Sequence, residues 1–149
     1  MITNNKILSV PFLTSLFIKQ NEHHSHAVLL HTLKVVYNCI KHKQYRMVPC
    51  AIMHDFGKPV VANQDKQVDK DNDLYSFKHH EEVSYQIIKD WKFVSEYSKN
   101  MVRYHYILRA MSKTTKSLAY EELNNKWLSL STSMKHDLKL FQKMDDLAK

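Results

Sequence analysis

The chain has 149 residues, enough for one domain with a buried core. Apolar residues make up 44%, which excludes global disorder, and one glycine with three prolines leaves few turn signals, which argues against a strand-rich fold. The formal charge of +7 suits a polyanionic partner, but the basic residues are scattered, so a solvated basic surface is preferred to a nucleic-acid track.

In chain order, residues 11–20 read as a first helix, with Pro11 at its start. The apolar run ILSVPFLTSLFI at 7–18 has a leader-like look, but no small-residue cleavage site follows, so an ordinary helix is expected. Residues 24–41 read as a longer helix, with Val28, His31, Val35 and Cys39 at helical spacing. RMVPCAIMHD at 46–55 is a third apolar segment, stopped by Gly57 and Pro59. Gly57 is the single glycine. It is expected to take the left-handed conformation, with Pro59 preventing the helix from resuming.

The polar stretch 60–76 reads as a loop or a small hairpin. Helical periodicity resumes at 79–91, through Val83, Ile87 and Trp91, and continues at 94–110, through Met101, Val102 and Leu108. Residues 118–128 and 130–147 are two further helices. The fold expected is all-α, a bundle of about six or seven helices with the loop or hairpin at 60–76. Cys39 and Cys50 lack CxxC spacing and are expected to be reduced and buried, which fits a cytoplasmic setting. No stretch reaches the roughly 20 apolar residues of a membrane span, so no membrane partner is expected.

Several polar residues lie on apolar faces. His31 lies three after Val28 and four before Val35; His80 lies three before Val83 and seven before Ile87. His105 lies three after Val102 and three before Leu108, and Asp145 lies four after Phe141 and seven after Leu138. His54 and Asp55 end the apolar segment VPCAIM. A lone histidine on such a face is more often a hydrogen-bonded core residue than a ligand. Inward aspartates are different, because an unpaired buried charge is costly. Four inward histidines and two inward aspartates that converge would be satisfied by divalent metal ions, which take imidazole nitrogen and carboxylate oxygen as ligands.

The ordered set His31, His54–Asp55, His80, His105 and Asp145 resembles the HD-domain superfamily of metal-dependent phosphohydrolases. AIMHDFGKP is the most specific piece, and HHSHAVLLHTLKVV, FKHHEEVSYQII, VRYHYIL and LFQKMDDLAK carry the rest. The spacing is similar to HD domains appended to tRNA nucleotidyltransferases and to small stand-alone HD proteins. Nucleotide addition does not carry over, because the glycine-rich strand motif of that chemistry is missing. The resemblance implies a single HD domain over 1–149.

It further implies His31, His54, Asp55 and Asp145 as core metal ligands, with His80 and His105 added where two metals are held. His79 competes with His80, which directly precedes Glu81, and Asp146 competes with Asp145. Many relatives have glycine at the His79 position. Catalytic roles then fall to Asp55, Lys58 and His80, with Asp55 bridging two divalent ions (Mn, Fe, Co, Ni, Zn or Mg) that activate a water for attack on phosphorus. Lys58 would contact the phosphate, and so would His24, seven residues before His31, and Arg109, one turn beyond His105. Solvent exposure is the competing reading for Arg109, and helix capping or exposure for the group His23, His24 and His26.

The activity implied is hydrolysis of a phosphomonoester or phosphodiester of a nucleotide or small phosphoester. The alternatives are an inactive HD-fold module that binds a nucleotide, RNA or protein, and a nucleic-acid-binding protein using the +7 charge.

Overall fold

The computed structural model describes residues 27–62, 75–114 and 117–149. The expected helix at 11–20, His24 and most of the 60–76 stretch lie outside them. Among the described residues the chain is helical, with no strand. Helix α1 spans Val28–Lys41, and a 3-10 turn at Tyr45–Met47 leads into α2, Val48–Met53. Then come α3, Lys58–Val61; α4, His80–Ile88; α5, Glu96–Tyr104; α6, Ile107–Lys113; α7, Leu118–Ser129; and α8, Thr132–Asp146. This is the all-α bundle that the periodicity predicts. None of these helices is long and apolar enough to cross a membrane.

Helix α1 buries Val28, Val35 and Cys39, and the same face carries His31 and Asn38 inward. It packs on α2 and α8. The Asn38 side-chain amide donates to the Met144 carbonyl at 3.0 Å, tying α1 to α8. Cys39, Cys50, Met101, Val102, Leu138, Phe141 and Met144 fill the space between. Both cysteines are free and buried, and burial pushes the Cys39 thiol up to about 11. Helices α5, α7 and α8 each begin behind a serine. Ser95, Ser117 and Ser131 accept from the backbone N–H of Ser98, Tyr120 and Met134, which satisfies a donor that the first turn leaves open.

The helices are divided more finely than periodicity implies, and two of the divisions fall at His54–Asp55 and at His105. The 46–55 segment leaves the helix after Met53, with His54 as its C-cap. Gly57 has φ −75° and ψ −23°, so it is right-handed, and α3 starts immediately after it. Pro59 sits in the first turn of α3, where its missing N–H costs nothing, so it helps start a helix and does not block one.

Glycine is required at 57 for space. A Cβ there would lie 2.2 Å from the His80 carbonyl oxygen and 2.8 Å from the Ser84 nitrogen. The left-handed residue near the site is His79, at φ 60°, directly before α4. Finally, the expected 94–110 helix is two helices, because Ser95 caps the start of α5 and the chain breaks at His105–Tyr106 before α6.

Candidate metal centre

Five elements bring six side chains to one point. His31 comes from the middle of α1, His54 and Asp55 from the corner after α2, and His80 from the first turn of α4. His105 follows the end of α5, and Asp145 lies near the end of α8. All six are buried. One oxygen of Asp55, Oδ2, faces His54 Nε2 at 3.2 Å and His31 Nε2 at 3.7 Å. Its other oxygen, Oδ1, faces His80 Nε2 at 3.5 Å. His80 Nε2 in turn meets His105 Nε2 at 3.3 Å. Asp145 Oδ1 lies 2.7 Å from His31 Nε2 and 3.8 Å from His54 Nε2.

Three of the imidazoles are oriented by the same local device. His54 Nδ1 lies 2.8 Å from the Ala51 carbonyl, His80 Nδ1 lies 2.9 Å from the Phe77 carbonyl, and His105 Nδ1 lies 2.7 Å from the Val102 carbonyl. A carbonyl oxygen only accepts, so Nδ1 carries the proton in each ring, and in the neutral ring Nε2 is left with its lone pair facing the centre. Each acceptor lies three residues back; Ala51 and Val102 stand in last turns, whose carbonyls lack their usual partners, and Phe77 precedes α4, where its carbonyl also accepts the His80 backbone N–H at 3.4 Å.

The electrostatics sort the rings. Burial pushes His80 down to about 4, against the pull of Asp55. Burial, helped by His54 and His80, also holds His105 well below the ordinary imidazole range. Both are therefore neutral at pH 7, and two bare nitrogens face each other at 3.3 Å. Burial works against a charge on His54 too, but Asp55 outweighs it and raises that pKa. Burial likewise opposes ionisation of Asp55, yet His54 and Lys58 hold it well below the usual carboxylate range. Asp145 is also held low, by His31, His54 and Arg109 against its own burial.

This donor set fits divalent cations. The ligand atoms of His31, His54 and Asp55 lie within 4.8 Å of one another, and so do those of Asp55, His80 and His105. Asp55 belongs to both groups, one oxygen toward each. His54 Nε2 is buried and has no hydrogen-bond partner among the described residues. A cation between His80 and His105 would relieve their facing lone pairs, and nitrogen with carboxylate oxygen suits first-row ions.

A cleft of about 680 Å³ opens onto this centre. Lys58, the first residue of α3, lines it and sets its Nζ 2.8 Å from Asp55 Oδ2. Arg109 also lines it, but its guanidinium contacts Asp145 Oδ2 and lies 2.7 Å from Asp146 Oδ1. Solvent exposure is thus not its state, and its charge sits on the carboxylates. The geometry separates the competing pairs. His79 is exposed while His80 is at the centre, and Asp146 is exposed on Arg109 and Lys149 while Asp145 is buried on His31.

Ser84 escapes a search for ligand-type residues. It is fully buried, and its hydroxyl donates to the His54 carbonyl at 2.7 Å and accepts from the Gly57 N–H at 2.8 Å. Its position four after His80, on the same helical face, is the signal that could have found it. Phe77 and Tyr106, which line the cleft, carry no such signal.

A family model described as HD domain matches residues 24–148. No curated protein and no solved structure gave a match. The matched span includes all six converging side chains and nearly the whole chain, and their arrangement is one that would hold divalent ions. The chain belongs to the HD-domain superfamily of metal-dependent phosphohydrolases.

Proposed function

We propose that the protein hydrolyses a phosphomonoester or phosphodiester bond of a nucleotide or related small phosphoester, using two divalent ions. The observation that carries this is Asp55, whose two oxygens face two separate histidine groups, His31 with His54 and His80 with His105. In this reading His31, His54, Asp55 and Asp145 would hold one ion, and Asp55, His80 and His105 the other. Bound divalent ions supply an activated water and neutralise charge on the phosphoryl group.

The chain's own residues do the rest. Lys58 brings a point charge beside Asp55 to the phosphate oxygens. Arg109 holds Asp145 ionised and oriented. Neutral His80 offers nitrogen, not a proton, to the centre. The cleft has the volume of a small-ligand site, and it combines Phe77 and Tyr106 with Lys78, Lys113 and Lys149. That mixture suits a flat ring carrying phosphate. Two buried free thiols fit a reducing compartment such as the cytoplasm. The inactive-module reading has less support, since no donor of the set is missing.

The test is hydrolysis of p-nitrophenyl phosphate, bis-p-nitrophenyl phosphate and a panel of nucleotides by chelator-treated protein, with each divalent ion restored in turn. Activity should return with at least one first-row ion and disappear in Asp55→Ala. Absence of activity with every ion, or full activity in Asp55→Ala, refutes the proposal.

A further inference from the structure

The two groups of donors reside on different elements. His54 and Asp55 are on the corner between α2 and α3, whereas His80 opens α4. The distance between the groups therefore depends on how α4 is docked against that corner. The structure shows a joint made for this. Ser84 lies one turn after His80 on the same face of α4, and its hydroxyl both donates to the His54 carbonyl at 2.7 Å and accepts from the Gly57 N–H at 2.8 Å. These two backbone groups flank Asp55 in the chain. At the same place the Gly57 backbone lies so close to α4 that a Cβ would sit 2.2 Å from the His80 carbonyl oxygen. One polar bolt and one missing side chain thus fix the same separation, one by pulling and the other by permitting contact.

We infer that Ser84 and Gly57 are positioning residues that set the spacing between the two halves of the metal centre, and so determine whether the second ion is held. The inference rests on the two-ion reading above. Neither residue offers a ligand atom; each acts through His80 and Asp55. Ser84→Ala removes both hydrogen bonds and leaves the His54 carbonyl and the Gly57 N–H buried without that partner. Gly57→Ala inserts a methyl group where backbone stands, so α4 and the corner must move apart. The His54 side of the centre keeps its geometry in both cases, because His31 comes from α1 and the His54 ring is set by Ala51.

The experiment is calorimetric titration of chelator-treated wild type, Ser84→Ala and Gly57→Ala with Mn²⁺ and with Co²⁺, with circular dichroism to confirm helix content. Wild type should take two ions. Both variants should retain the tighter ion within about threefold, and should lose affinity for the weaker one by roughly tenfold or more, as supporting residues around a metal typically do. A merely structural role would lower the melting temperature without changing the ratio of the two affinities. An unchanged ratio in folded Ser84→Ala overturns the inference, and so does equal weakening of both ions in both variants. If wild type itself takes fewer than two ions, the two-ion reading fails first and takes the inference with it; the wild-type titration alone distinguishes that case.

Discussion

Asp55→Asn tests the electrostatic core of the site without reference to turnover. The substitution keeps shape and removes one negative charge. In the metal-free protein that charge faces Lys58 at 2.8 Å, His54 at 3.2 Å, His80 at 3.5 Å and His31 at 3.7 Å, all in the buried interior. Breaking a buried ion pair by removing one partner costs about 3–5 kcal/mol. Relief of Asp55's own desolvation offsets part of this, so a loss of about 3 kcal/mol is expected, or roughly 6–12 °C in melting temperature for a chain of this size. The pH dependence carries the sign. The folded-state pKa of Asp55 is depressed, so its contribution is present above the ordinary aspartate value of about 3.9 and is lost as pH falls below it. Urea unfolding of both proteins in chelator, from pH 7 to pH 3, should show a gap that is full at pH 7 and shrinks below about pH 4. Equal stability at pH 7, or a gap that stays constant down to pH 3, would refute the account of Asp55 as the buried anion that organises the site.

Two further outcomes follow from the same centre. The folded-state pKa values of His80 and His105 are depressed, so in the unfolded chain these rings take up protons first, and metal-free stability should fall as pH drops from about 6.5 toward 4. His80 alone accounts for about 3 kcal/mol of that fall, whereas His54, whose value is raised, acts outside this window, its contribution being complete below about pH 6.5 and lost as pH rises above it. His80→Ala should flatten the profile, and a profile already flat in wild type counts against neutral imidazoles at the centre. Arg109→Gln should weaken binding of the ion on the Asp145 side by roughly tenfold, because Arg109 holds Asp145 Oδ2 while Oδ1 faces His31. Unchanged metal affinity with a raised KM would instead return Arg109 to direct substrate contact.

Four of the six converging residues were legible because polar groups at helical spacing on an apolar face are a local pattern, and His54 with Asp55 was legible as the end of the apolar segment in AIMHDFGKP, the piece that carries the family resemblance. His31, His80, His105 and Asp145 each sit in phase with valine, leucine, isoleucine or phenylalanine of their own segment. What could not be read was anything that depends on a second element. Gly57 illustrates this. Its own segment proposes a left-handed stop, and the actual reason for glycine is the His80 carbonyl arriving from α4. Arg109 is similar. Its spacing from His105 is visible in the sequence, but the two carboxylates that occupy its guanidinium come from the end of α8, 36 and 37 positions further along. Ser84 combines both cases, a locally visible phase with a purpose set by the corner it touches.

The helix breaks have a chemical logic that periodicity does not contain. In an uninterrupted helix the Ala51 and Val102 carbonyls would accept the N–H four residues on. Here the chain leaves α2 and α5 at His54 and His105, and each carbonyl accepts the ring Nδ1–H instead. The Phe77 carbonyl, just before α4 begins, accepts the His80 Nδ1–H in addition to the His80 backbone N–H. A histidine in mid-helix has no open carbonyl three residues back, so its ring is held only by tertiary neighbours. A histidine whose ring reaches a carbonyl three residues back has its tautomer chosen within its own turn. Three of the four inward imidazoles therefore present Nε2 to the centre by local chemistry alone. Tertiary packing is left to bring in His31 and Asp145 and to set the spacing between the halves, which is the task inferred for the joint at Ser84 and Gly57.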